Sequence, residues 1–293
     1  MPAALSLIRR HGRPSAVFYF GESPGDDLLA TAVLRRWHQV RGSRAAYLTQ
    51  HPHLFERNAD VAFTAPYNPA LAGAFQLLGV VRTRLVYHAY DPATDRSLAP
   101  RGTHIIDLMC RTAGLLPLPD PHPTLTLAPE EIVRSQNTRI VVQSSALSAR
   151  MPIVNKEWFS DRMQAVVDAL RRDAEVVQLG SPSDPALNGV LDLRGRTTLR
   201  EAAGVMAGAQ LFIGMVGFLM HLAAAVGTRS VVVFGGREHP SESGYTENRN
   251  LFTELPCSPC WLWNTCPYAH ECMRRIGADD VIREARDVLA GTI

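Results

Sequence analysis

Residues 210–236, QLFIGMVGFLMHLAAAVGTRSVVVFGG, constrain this chain more than any other stretch. They read as an apolar strand, a glycine-bearing loop, a short alanine-rich helix, a Gly-Thr turn, a second apolar strand and a Gly-Gly stop. A strand that is apolar on both faces has to be covered on both, which is the mark of a parallel sheet inside an α/β layer. Loop 214–217 then lies at the carboxyl end of the first strand and opens onto a helix. Unpaired N–H groups and the positive end of the helix dipole face outward there. Such a terminus seats a phosphate, although the same spacing also serves a plain strand-to-helix turn.

The alternation recurs along the chain. Residues 16–20 (AVFYF) form a buried-type strand, followed by the loop GESPGDD and a helix over 28–40. Strands follow at 45–48 and 61–63, a helix at 71–78, a strand at 84–90 and a helix at 104–114. Five prolines between Pro117 and Pro129 forbid a regular element and mark an interdomain linker. The pattern then restarts, with a strand at 139–143, a helix over 156–172, a strand at 175–179 ending at Gly180, and a helix over 198–207 capped by Thr198. A final amphipathic helix covers 279–289. Two runs of alternating strand and helix imply an α/β protein of two doubly wound, Rossmann-like domains facing a cleft, residues 1–128 and 129–293.

Composition narrows the function. With 46% apolar and 20% charged residues the chain is of the soluble globular kind, and a formal net charge of +2 argues against a nucleic-acid partner. No apolar run is long enough to span a bilayer, and the basic residues of MPAALSLIRRHGR follow its apolar patch, the reverse of a secretory signal. The expectation is a cytoplasmic protein. Lys156 is the only lysine among 30 basic residues, which singles it out in a chain otherwise served by arginine.

In a reducing compartment, clustered cysteines point to metal. Four of the five lie within sixteen residues as Cys257-Ser258-Pro259-Cys260, Cys266 and Cys272. A C-x2-C turn presents two thiolates to one tetrahedral ion and two more close the shell, so the ion is structural and either Zn or Fe suits it. Trp261, Trp263 and Tyr268 are placed to shield the sulfurs from water.

Five ordered motifs resemble the heptosyltransferase-like enzymes of glycosyltransferase family 9: GESPGDDLLATAVLRRW; NKEWF; LRGRTTLREAAGVMAGAQLFIG with HLAAAVGT; VVVFGGREHPSESGYTENRNLF; and the cysteine tail. The resemblance implies a GT-B fold, with an acceptor-binding N-terminal domain and a C-terminal domain that binds a nucleotide sugar, ADP-heptose by analogy. It implies an inverting transfer to a saccharide, protein or small-molecule hydroxyl. Asp26 would be the catalytic base, with Asp27 as an alternative base or a helix cap. Lys156 would meet the donor's diphosphate; Gly180, Asp184, Met215, Val216, Gly217 and His221 would complete the donor site. His221 reads equally as a phosphate donor and as a core histidine. No catalytic divalent metal is expected, because a lysine and a helix end supply the charge, whereas iron in the cysteine finger is known in some relatives. A homo-oligomer is compatible with all of this.

One departure stands out. Relatives carry Asp or Glu five residues before the histidine, where this chain has Val216, and Phe218 follows in place of a small residue. The alternative is therefore an inactive member that binds a nucleotide sugar or a protein partner. A dehydrogenase or epimerase is disfavoured, since no G-x-G-x-x-G follows the first strand.

Overall fold

The computed structural model describes residues 1–20, 23–98, 101–149 and 151–291. Gly21 and Glu22, which open the first glycine loop, lie outside the described residues. The chain divides into two units, Met1–Tyr87 with Thr103–Thr126, and His88–Gly102 with Leu127–Ile293.

The first unit runs α1 (Pro2–His11), β1 (Ala16–Tyr19), α2 (Pro24–Arg41), β2 (Ala45–Leu48), β3 (Val61–Ala65), α3 (Pro69–Leu77) and β4 (Val81–Arg84). The chain then makes a hairpin, β5 (Ala89–Asp91) and β6 (Arg96–Leu98), which belongs to the second unit, and returns for α4 (Ile105–Thr112). The sheet is parallel in the order β3-β2-β1-β4. Val17, Ala46, Leu48 and Phe75 fill its core against α1 and α3. The strand expected over 84–90 is instead two pieces. β4 pairs with β1 as far as Tyr19↔Arg84, and the Leu85 N–H, which donates to the Tyr19 carbonyl, is the last rung of that ladder among the described residues.

The second unit runs β7 (Arg139–Val142), α5 (Ser160–Leu170), β8 (Glu175–Gln178), β9 (Leu191–Asp192), α6 (Leu199–Ala207), β10 (Leu211–Met215), α7 (Phe218–Val226), β11 (Ser230–Gly235), α8 (Pro240–Ser243), β12 (Arg249–Phe252), α9 (Glu271–Arg274) and α10 (Ala278–Ala290). Its six strands lie parallel in the order β12-β11-β10-β7-β8-β9. Every residue of β10 and β11 is buried, as their unbroken apolar sequence requires. Successive crossovers leave β7 in opposite directions, so the carboxyl ends of β7 and β10 flank the switch point where such sheets bind ligands.

The helix expected over 156–172 begins later. Residues Val154–Lys156 make one 3-10 turn, and α5 starts at Ser160. The delay has a cause in Trp158. Its indole is 2% exposed, its Nε1 donates to the Ile276 carbonyl and its backbone N–H donates to the Met215 sulfur. These contacts require an extended backbone, and a buried indole of this size stabilises by more than a turn of helix contributes. Lys156 therefore does not sit at a helix start.

Candidate functional site

In the first unit, α2 begins at the carboxyl end of β1, with Ser23 extended before it and Pro24 at the position that needs no N–H partner. Asp26 and Asp27 both fall in the helix's first turn, where the dipole favours ionised carboxylates. Their surroundings separate them. Asp27 is fully buried and accepts from the Tyr47 hydroxyl (2.8 Å), the Thr49 hydroxyl and His51 Nδ1 (2.7 Å). Burial, with Asp27 beside it, pushes the Tyr47 phenol well above its usual pKa, so it stays a donor. Asp27 thus ties α2 to the end of β2. Asp26 is half-buried and accepts from the Tyr87 hydroxyl at 3.2 Å, and the Tyr87 ring stacks on Phe20. Tyr87 carried no signal in the sequence, because its role depends on where β4 stops.

In the second unit, Lys156 Nζ lies 2.6 Å from Glu238 Oε1, and Glu238 also accepts from Arg237 and from the Ser243 hydroxyl (2.6 Å). Burial alone would raise the Glu238 carboxyl, but the charges of Lys156 and Arg237 outweigh it and hold the pKa at about 2. Lys156 and Arg237 thus share the Glu238 carboxylate. Glu238 and Arg237 follow the Gly-Gly stop of β11, and the sequence reading missed them. The available signal was an Arg-Glu pair directly after a buried strand.

Loop 214–217 offers backbone rather than side chains. A Cβ on Gly214 would lie 2.4 Å from the Phe212 ring, Met215 and Val216 are buried, and Gly217 is the half-buried residue before α7. His221 is also buried, its Nδ1 2.7 Å from the Tyr245 hydroxyl. Burial raises the Tyr245 phenol well above its usual pKa, so it keeps its proton and can donate to Nδ1.

The loop after β8 holds a polar atom that calls for a ligand. Asp184 is 4% exposed; its Oδ2 accepts from the Ser181 N–H at 2.9 Å, but among the described residues its Oδ1 has no hydrogen-bond partner. A buried orphan acceptor costs about 1–3 kcal/mol. Gly180 makes the arrangement possible, since at φ +148° any Cβ would sit 2.3 Å from Asp184 Oδ2. This loop neighbours the lysine segment. Burial raises the pKa of Glu157, next to Lys156, and the negative charge of Asp184 adds to the effect.

The four cysteines Cys257, Cys260, Cys266 and Cys272 line one cavity of about 30 Å³, together with Asn155, His270 and Tyr268. Trp261 and Trp263 do not line it, contrary to their expected shielding role. Each buried indole N–H needs a partner, and they turn away to Glu242 (3.0 Å) and to Ser97 of β6 (2.7 Å). Among the described residues no three His, Cys, Asp or Glu side chains meet at metal-binding distance. The donor set nevertheless fits a cation. Burial raises the Cys260 and Cys272 thiols, and neighbouring thiolates raise them further, a repulsion that a bound cation would relieve. The His270 N–H already donates to Cys266 Sγ at 3.3 Å.

The hairpin β5–β6 clamps this loop from its other side. Asp95 accepts from the N–H groups of Asn264 and Thr265, both at 2.7 Å, and Ser97 donates its N–H to the Trp261 carbonyl. Burial opposes ionisation of Asp95, yet these hydrogen bonds keep its pKa at about 2.

Two parallel Rossmann-like sheets, with the candidate residues on their carboxyl edges, are the parts of a GT-B protein. Solved structures bear out the fold. The dodecameric iron-containing heptosyltransferase TibC, in complex with ADP-D-β-D-heptose, matches with TM-score 0.74 and 16% identity over 96% of this chain and 77% of that one. The E. coli ADP-heptose LPS heptosyltransferase II matches with TM-score 0.69 and 15% identity over 95% and 99%. Residues 110–268, more than half of the chain, match the model of glycosyltransferase family 9 (heptosyltransferase), and the chain belongs to that family. Lipopolysaccharide heptosyltransferase 3 of Escherichia coli is 29% identical over 222 residues, 67% of this chain and 60% of that protein. Lipooligosaccharide heptosyltransferase 2 of Campylobacter jejuni is 32% identical over 103 residues, 34% of this chain and 32% of that protein. The chain thus spans 32% to 60% of the length of these curated relatives.

Proposed function

We propose that this protein transfers a glycosyl group, heptose, from ADP-heptose to a hydroxyl acceptor with inversion at the anomeric carbon. The observation that carries the reading is Asp184 Oδ1, a buried acceptor at the carboxyl edge of the second sheet that has no hydrogen-bond partner among the described residues. A ribose hydroxyl supplies the donor it lacks. Lys156, whose ammonium lies beside Glu238, and the N–H groups at the start of α7 then face the diphosphate and favour the charge that develops as it departs. In the transfer step the acceptor oxygen forms a bond to the anomeric carbon while the bond from that carbon to the phosphate oxygen breaks. Asp26 takes the hydroxyl proton, and ADP leaves with the electron pair.

The first unit supplies the base and acceptor contacts, the second the donor contacts. Met215, Val216 and Gly217 contribute backbone, and His221 supports the loop through Tyr245. Cys257, Cys260, Cys266 and Cys272 would hold a Zn or Fe ion, which would stabilise the loop and take no part in the chemistry. The acceptor is a saccharide, protein or small-molecule hydroxyl. Among the described residues no helix is long and apolar enough to cross a membrane. Self-association is carried over from the dodecameric relative, and light scattering tests it.

Titration calorimetry with ADP and ADP-heptose tests the reading. The wild type binds both, and Asp184→Ala weakens both at least tenfold. Failure of the wild type to bind either at millimolar concentration refutes it. Binding with no ADP release in the presence of candidate acceptors favours the second reading, an inactive nucleotide-sugar-binding member, which the buried Val216 at the position of the relatives' carboxylate motivates.

A further inference from the structure

We propose that the cysteine loop, through Asn155, sets the position of Lys156, so that metal occupancy of the loop governs the grip on a nucleoside diphosphate. The proposal rests on the donor-binding reading of Lys156. Lys156 ends a single 3-10 turn, and Met151, Pro152 and Val154 before it are exposed, so that side gives no firm anchor. Ahead of Lys156 the anchors come instead from residues 263–270, whereas Trp158 beyond it is held separately from the other side. Asn264 Oδ1 accepts from the Val154 N–H (3.1 Å), and the Trp263 carbonyl accepts from the Asn155 N–H (3.0 Å). The Asn155 carboxamide, 4% exposed, donates from Nδ2 to the Thr265 carbonyl (2.9 Å) and accepts at Oδ1 from His270 Nε2 (2.8 Å).

The partner of Lys156 hangs on the same loop. Arg237, which with Lys156 holds Glu238, donates from Nε to the Leu262 carbonyl at 2.8 Å. Both sides of the ion cluster are therefore referenced to residues 262–270, and Asn155 lines the very cavity that the four sulfurs enclose.

The loop also has reason to move. Ala269 (φ 48°) and His270 (φ 56°) occupy the left-handed region, a conformation that persists in non-glycine residues only while their surroundings hold it. Cysteines bound to one ion on either side of these residues supply that hold. Emptying them lets Ala269 and His270 relax, which withdraws the His270 ring from Asn155. On the far side, Asp95 fixes Asn264 and Thr265, so the slack appears at His270 and not throughout the loop.

The lone lysine makes the test direct. Reductive methylation with 13C-formaldehyde labels Lys156 and the chain's α-amino group only, giving one lysine signal by NMR. The signal is recorded for the wild type as purified, stripped by chelation and refilled with Zn2+ or Fe2+, and for Asn155→Ala. Stripping and the substitution are expected to move it in the same direction, and refilling to restore it. A signal indifferent to metal removal in a protein that still holds its fold by circular dichroism overturns the proposal. Calorimetry with ADP supplies the second readout. Asn155→Ala is expected to weaken ADP about tenfold, the loss of roughly one hydrogen-bonded charge contact, and to add nothing in a Lys156→Met background. Additive losses overturn the proposal. If Asn155→Ala fails to fold, His270→Ala removes one of the bonds and takes its place in both arms. If no form binds ADP, the donor reading fails, and the lysine signal alone decides the coupling.

Discussion

Replacing Glu238 by Gln tests the buried ion cluster on which the second unit's charge depends. The wild-type carboxyl has a pKa of about 2 in place of the ordinary 4.5, because the charges of Lys156 and Arg237 outweigh the desolvation that opposes them. A shift of that size corresponds to roughly 3 kcal/mol of folded-state preference for the ionised form. Its folded pKa is depressed, so this stabilisation is complete above the unfolded pKa and is lost as pH falls from about 4.5 to about 2. Glu238→Gln removes the buried carboxylate that Lys156 and the buried Arg237 share, and the expected cost at pH 7 is about 3–5 kcal/mol. By linkage, the wild type's advantage over the variant should shrink by ~2 kcal/mol between pH 7 and pH 3. Urea denaturation followed by tryptophan fluorescence at both pH values measures it. A gap that stays constant with pH, or a variant as stable as the wild type at pH 7, refutes the ion-cluster argument.

Other substitutions probe the remaining parts. Asp26→Asn should cut glycosyl transfer by about 10²–10⁴-fold while ADP affinity stays within twofold, measured by ADP release and calorimetry; equal turnover removes Asp26 as base. Gly180→Ala places a methyl against Asp184 Oδ2 at a positive φ, so it should lower stability by about 1–3 kcal/mol in urea melts and weaken ADP. Trp158→Ala should cost about 3–5 kcal/mol, since the indole is buried under β10 and bonded to Ile276. Elemental analysis should find about one Zn or Fe per chain, and its absence from freshly purified protein defeats the cysteine argument.

What could be read from sequence follows from which interactions are local. The unbroken apolar runs of β10 and β11 announced a parallel sheet, and Thr198 announced the start of α6, where its side chain accepts from the Glu201 N–H. Helix α5 was placed four residues too early because the apolar pattern around Trp158 suits a helix, while its real constraint is the distant Ile276 carbonyl. The candidate site divides the same way. Asp26, Lys156, Asp184 and the cysteines were legible as residue types in motifs. Glu238, Tyr87 and Asn155 were not, because each matters only through a partner far along the chain or across a turn. The separate surroundings of Asp26 and Asp27 likewise depend on Tyr47, Thr49 and His51, which no spacing rule connects to them.

The hairpin clamp has a consequence for how the molecule is made. Ser97 and Trp263 are 166 residues apart, so on the ribosome the clasp emerges long before the buckle it must fasten. A polypeptide begun at Leu127 would lack that clasp altogether and leave the Trp263 indole and the Asn264 and Thr265 amides searching for acceptors. The C-terminal unit is thus no freestanding cassette. Excision or grafting has to carry residues 88–102 along, in cis or as an added peptide.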